Sequence, residues 1–85
     1  MTTAHRIALD SLLSNSLANM DRALFDALES KEADVTLEAL GLDSLGRLEL
    51  SIFLSTQLKM EVTEADLHEV NSFVALSNFI SKLVK

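Results

Sequence analysis

Apolar residues recur at three- and four-residue steps along most of this chain, the spacing that lines one face of a helix. Between 4 and 30 the repeat runs Ile7, Leu9, Leu12, Leu13, Leu17, Met20, Leu24 and Leu28. Inside it lie Ser14-Asn15-Ser16 and Asn19, whose short polar side chains compete for backbone hydrogen bonds and prefer caps and turns. Two layouts fit: one long helix with a weak middle, or two helices meeting near Asn19, with Asp21 and Asp26 in the first turns of the second. The expected layout is one helix with a break or bend between Ser14 and Asp21. Residues 30 to 43 read as a long loop, polar first and then pinned by Val35, Leu37, Leu40 and Leu42.

From 44 to 58 the pattern predicts a second main helix. Leu50, Leu54 and Leu58 repeat every four residues and, with Phe53, face the core; Leu45, Leu48 and Ile52 form a neighbouring stripe. Residues 59 to 71 read as a connector pinned by Met60 and Val62, then a short helix. Thr63 and the acids after it mark that helix start, and Leu67 and Val70 point inward or toward the second helix. A last helix is predicted over 72 to 84, capped by Ser72, with Phe73, Leu76, Phe79 or Ile80, and Leu83 on its apolar face and Lys82 and Lys85 at its negative end. The fold class is all-α: a small three- to four-helix bundle with a long loop between the first and second main helices.

The chemistry concentrates where that loop enters the second helix, at Leu40-Gly41-Leu42-Asp43-Ser44-Leu45. Leu40 and Leu42 anchor the loop, and Gly41 lets the backbone turn between them. Asp43 is a strong N-cap, because its carboxylate can accept from the unpaired N–H groups of the first turn. Ser44 falls on that turn, where free N–H groups and the helix dipole favour negative charge by roughly 0.3–1 kcal/mol. The neighbouring carboxylate opposes this, so the geometry suits a phosphate held covalently better than one merely bound. Taken alone, the same residues also describe an ordinary Asp-capped helix with an exposed serine.

At these residues the chain resembles the acyl carrier proteins, whose Gly-x-Asp-Ser-Leu motif bears 4′-phosphopantetheine on its serine. The layout downstream of the serine follows the family from about Thr36 to Val84; the first thirty-odd residues match poorly. The resemblance implies that Ser44 is the attachment point, with Asp43 beside it. It implies that the arm's thiol, not a side chain of this chain, holds the acyl group as a thioester. The implied partners are a phosphopantetheinyl transferase, drawing on coenzyme A, and acyl-loading, condensing or tailoring enzymes. The family's matching stripe touches partner enzymes, so Leu45 and Ile52 are expected to make such contacts, while Leu48 fits either partner or core. Glu49 matches an acidic position of the family. Val70 borders the family's acyl cleft and reads as a gate or, more simply, as core.

Two departures refine the likeness. Fatty-acid carriers have an acid-rich second helix; here Arg47 and Glu49 cancel and Ser55-Thr56-Gln57 stand where acids are expected. Docking should therefore rest on shape and apolar contact more than on electrostatic steering. Peptidyl carriers typically place a second glycine before the Asp or His, where this chain has Leu42. The hexapeptide looks closer to carriers of polyketide-type assembly lines; a peptidyl or fatty-acid carrier, or an unmodified helical adaptor, is the alternative. Gly46 costs a helix roughly 1 kcal/mol relative to alanine. Close approach of a partner or of the arm would compensate, unless the glycine is a tolerated accident.

Composition sets the remaining bounds. Eighty-five residues make one domain over 1–85, burying about 60% of the surface the unfolded chain exposes. No cysteine is available for disulfides or thiolate metal sites, and proline is absent. A net charge of −6 argues against nucleic acid and for basic protein surfaces. No apolar run reaches the roughly 20 residues of a membrane span, and the N-terminus has no signal-peptide pattern; the expected location is cytoplasmic, as a monomer. His5 and His68 form no metal-ligand spacing. Ser44 has no motif-placed base for a hydrolase, since adjacent side chains point apart, so a non-catalytic carrier is expected.

Overall fold

Four α-helices and a short 3-10 turn make up the fold in this computed structural model, which describes residues 3–15, 17–31 and 33–83. They are α1 (Thr3–Leu13), α2 (Arg22–Glu29), α3 (Ser44–Leu58), the 3-10 turn (Ala65–Leu67) and α4 (Phe73–Leu83). The predicted all-α bundle is what forms, and α3 spans the predicted 44–58. Ser16, Glu32, Val84 and Lys85, which enter the predicted first break, long loop and last helix, lie outside the described residues.

The interruption falls between Ser14 and Asp21 as expected, but it separates two helices, the alternative layout, and not the expected one helix with a break or bend. Side chains in the joining loop take over the backbone groups that a continuous helix would have used. Asp21 accepts from the Leu24 N–H at 2.8 Å and so starts α2 afresh. Asn15 is buried; its Oδ1 accepts from the Leu17 N–H, and its amide donates to the Gly46 carbonyl at 3.0 Å, on α3. Asn19 N–H donates to the Leu40 carbonyl. The apolar face inferred across 4–30 is correspondingly split: Ile7, Leu9, Leu12 and Leu28 are buried, while Leu13 is 55% exposed.

The core fills from all sides. α1 packs chiefly on α4 and also on α3, burying Ile7, Leu9 and Leu12 against Leu50, Leu54, Phe73, Leu76 and Ile80. Each such side chain contributes roughly 1.5–3 kcal/mol by leaving water. Phe53, Leu58, Phe79 and Leu83 pack at its edge. The buried His5 ring meets Phe73 edge-on, centroids 5.1 Å apart.

The long loop is held by its leucines as expected: Leu37, Leu40 and Leu42 are all buried. Its backbone is also tied to the start of α4. Leu37 N–H donates to the Asn71 carbonyl and Phe73 N–H to the Val35 carbonyl, both at 2.9 Å. Asp34 accepts from Val74 N–H while Ser72 Oγ accepts from Ala75 N–H, so α4 has a second cap, from far away in sequence.

In the 59–71 stretch, Thr63 and Asp66 each accept from the other's N–H, a reciprocal capping box around a single 3-10 turn. Val62 pins the connector but Met60 does not, being 41% exposed. The anchoring comes instead from Ser55, whose hydroxyl donates to the Val62 carbonyl and accepts from the Val62 N–H. Among the described residues no helix is long and apolar enough to cross a membrane.

Candidate functional site

The site is assembled where the 30–43 loop delivers the chain to α3. Thr36 starts a tight turn, its hydroxyl accepting from Ala39 N–H, and Leu42 N–H donates back to the Leu37 carbonyl. Gly41 closes that turn at φ +82°, a left-handed conformation that a Cβ disfavours. Leu42 then drops into the core and Asp43 is left at the surface.

Asp43 caps α3. One carboxylate oxygen, Oδ1, accepts from Leu45 N–H at 3.0 Å and from Gly46 N–H at 3.2 Å. Ser44 is the first helical residue and is exposed. Among the described residues nothing holds its hydroxyl by a hydrogen bond. The oxygen is thus presented rather than used, while its neighbour does the capping. An exposed, unengaged hydroxyl can be esterified without disturbing the fold.

Beside it opens a groove of about 540 Å³, lined by Glu38, Gly41, Leu42, Asp43, Ser44, Arg47, Glu64 and His68. The loop supplies one wall and the stretch around the 3-10 turn the other. The groove mixes acids with Arg47 and His68. His5, the other histidine, is in the core.

Gly46 has a structural explanation that differs from both expected ones. A Cβ there would lie 2.7 Å from Leu42 Cδ2 and 3.1 Å from Leu42 Cβ. The glycine lets the Leu42 side chain lie on the first turn of α3, which sets the angle at which the loop enters. No sequence motif announces this, because the contact partner is fixed by the turn at Gly41.

The stripe on α3 is exposed: Leu45 and Ile52 at 59% and Leu48 at 41%. Leu48 therefore lies on the surface and not in the core. Glu49 is half-buried on the same helix. Val70 does not join that exposed stripe: at 6% exposure it lies with the core, the simpler of its two readings. Arg47 reaches off the helix, its Nη1 donating to the Leu67 and His68 carbonyls, each at 3.2 Å.

A family model described as the phosphopantetheine attachment site matches residues 22–80, from the start of α2 to near the end of α4. α1 lies outside the matched segment. No solved structure matches the chain significantly.

Proposed function

The chain belongs to the phosphopantetheine attachment family, and from that premise we propose that Ser44 is the tether and that the exposed stripe of α3 docks partner enzymes of polyketide-type assembly. As a member it is a carrier protein with covalently attached 4′-phosphopantetheine, and its partners are a phosphopantetheinyl transferase and biosynthetic enzymes. When bound, the group supplies a thiol on a long arm, where cargo rides as a thioester. Tethering makes each transfer nearly intramolecular, which raises the effective concentration at each partner.

One observation carries the assignment to Ser44: an exposed, unengaged hydroxyl on the first turn of a helix, opening into a groove within the matched segment. The residues present fit the group. The Asp43 carboxylate already occupies the Leu45 and Gly46 N–H groups, so a phosphate at Ser44 gains little from them and must be held by its ester bond. In that reaction Ser44 Oγ bonds to phosphorus, the adenosine bisphosphate half of coenzyme A departs, and the hydroxyl proton leaves to a base on the transferase. Asp43 keeps the first turn of α3 wound and the hydroxyl facing outward.

The test is intact mass after incubation with coenzyme A and a promiscuous transferase. A gain of one phosphopantetheine, traced by peptide fragmentation to Ser44, is the expected result. No gain on folded protein would favour an unmodified adaptor, and a gain on another residue would move the tether.

The polyketide-type setting is supported by Leu-Gly-Leu-Asp-Ser-Leu and by the sparse acids of α3. Apolar docking through Leu45, Leu48 and Ile52, with Glu49 at the margin, predicts a specific kinetic pattern. Leu45→Ala or Ile52→Ala should lower kcat/KM of the transferase reaction by about tenfold, within the range of exposed interface anchors. The melting temperature should hardly move. Raising salt should change the wild-type rate by less than about threefold, since steering by charge is the salt-sensitive term. A steep salt dependence would contradict the apolar reading.

A further inference from the structure

Arg47 stands one turn after Ser44 on α3, so the two side chains lie on neighbouring parts of one helix face. Its guanidinium reaches across to the 3-10 segment, where Nη1 donates to both the Leu67 and His68 carbonyls. The Leu67 carbonyl also accepts from the Val70 N–H at 3.0 Å, so Arg47 adds a second donor there and reaches the His68 carbonyl at the end of the turn. The 3-10 turn itself is short and has poor hydrogen-bond geometry. Leu67 and Val70 root it in the core, but Glu64, Ala65, Asp66, His68 and Glu69 are exposed. Its capping box, between Thr63 and Asp66, is internal to the segment and does not hold it to α3. Among the described residues Arg47 makes the hydrogen bonds that join this turn to the first turns of α3.

Glu64 and His68 form the wall of the groove that faces Ser44, and Arg47 lies between. We propose that Arg47 is a strut that fixes this wall, and so a positioning residue for any enzyme that must reach the Ser44 hydroxyl; the inference rests on reading Ser44 as the tether. With the strut in place the groove is preformed. Without it the turn moves, and each incoming enzyme must order the turn before it can engage, which weakens binding but leaves the chemistry at Ser44 alone. The positive charge is not the operative feature. Both bonds leave one nitrogen, Nη1, so reach is what matters: lysine keeps the charge and several donors on one nitrogen but ends one bond short of Nη1 and falls short of the two carbonyls.

The experiment compares wild type, Arg47→Met and Arg47→Lys in the transferase reaction with coenzyme A, alongside hydrogen exchange of the 67–70 amides. In Arg47→Met, KM for the chain should rise about fivefold to tenfold with kcat within about twofold, the split that marks lost ground-state binding. Arg47→Lys should move KM in the same direction, and exchange at 67–70 should quicken in both while the α3 amides stay protected. Unchanged kinetics with faster exchange would overturn the proposal, leaving Arg47 a purely structural brace. Wild-type behaviour of Arg47→Lys would also overturn it, by making charge the determinant; this variant carries the test if Arg47→Met fails to fold. If wild type gains no group at Ser44, the tether reading fails and the proposal falls with it, an outcome distinct from modification at equal rates in all three proteins.

Discussion

Ser44→Ala is expected to abolish the mass gain from coenzyme A entirely while the chain stays folded. The expectation rests on a division of labour between adjacent residues. Asp43 satisfies two first-turn N–H groups, whereas the Ser44 hydroxyl is exposed and bonds nothing among the described residues. Removing that oxygen therefore exposes no unpaired partner. Alanine is also the better helix former, by at most about 0.7 kcal/mol. The melting temperature should then stay within about 6 °C of wild type, given the usual shift of about 4–8 °C per kcal/mol for a domain of this size. Residual loading of the variant would place the tether elsewhere. A collapse of folding would mean that the hydroxyl has a structural job which its surroundings do not reveal.

Phe73→Ala should have the largest effect on stability. The ring is 1% exposed, belongs to the core and meets the edge of His5. Truncating a buried phenylalanine costs about 3–5 kcal/mol, from lost transfer energy and the cavity left behind. A domain of this length has only about 4–13 kcal/mol to lose. Thermal unfolding should shift down by at least about 12 °C. The residue is also where α4 meets the 30–43 loop, since its N–H donates to the Val35 carbonyl. Loosening here should reach the loop that ends at Ser44, so loading should fall as the temperature approaches the lowered midpoint, while staying close to wild type well below it. A melting shift under about 4 °C would show that the core closes over the gap.

How far the chain could be read in advance depended on whether each signal was local. The 44–58 helix was legible because Asp43 and the four-residue repeat of Leu50, Leu54 and Leu58 are adjacent in sequence and act through adjacent atoms. Thr63 and Asp66 were legible for the same reason. In the first 30 residues the polar side chains between Ser14 and Asp21 locate the interruption, but local pattern does not say whether it bends one helix or separates two. Asn15 is held in the loop by a bond to Gly46, 31 positions away. Met60 stays at the surface because the connector is pinned by buried Val62 and the two hydrogen bonds of its backbone to the Ser55 hydroxyl.

What the sequence determined by itself is therefore the helical class, the capped start of α3 and the identity of the residue presented there. Those rest on periodicity, capping and turn chemistry, which act over a few residues. Tertiary structure decided the rest: that Gly46 makes room for Leu42, that Asp34 caps α4 and that Arg47 spans to the 3-10 turn. Each of these joins groups whose approach is set by packing of the whole bundle. A local pattern can name a donor or a gap, but only the folded chain brings the partner to it.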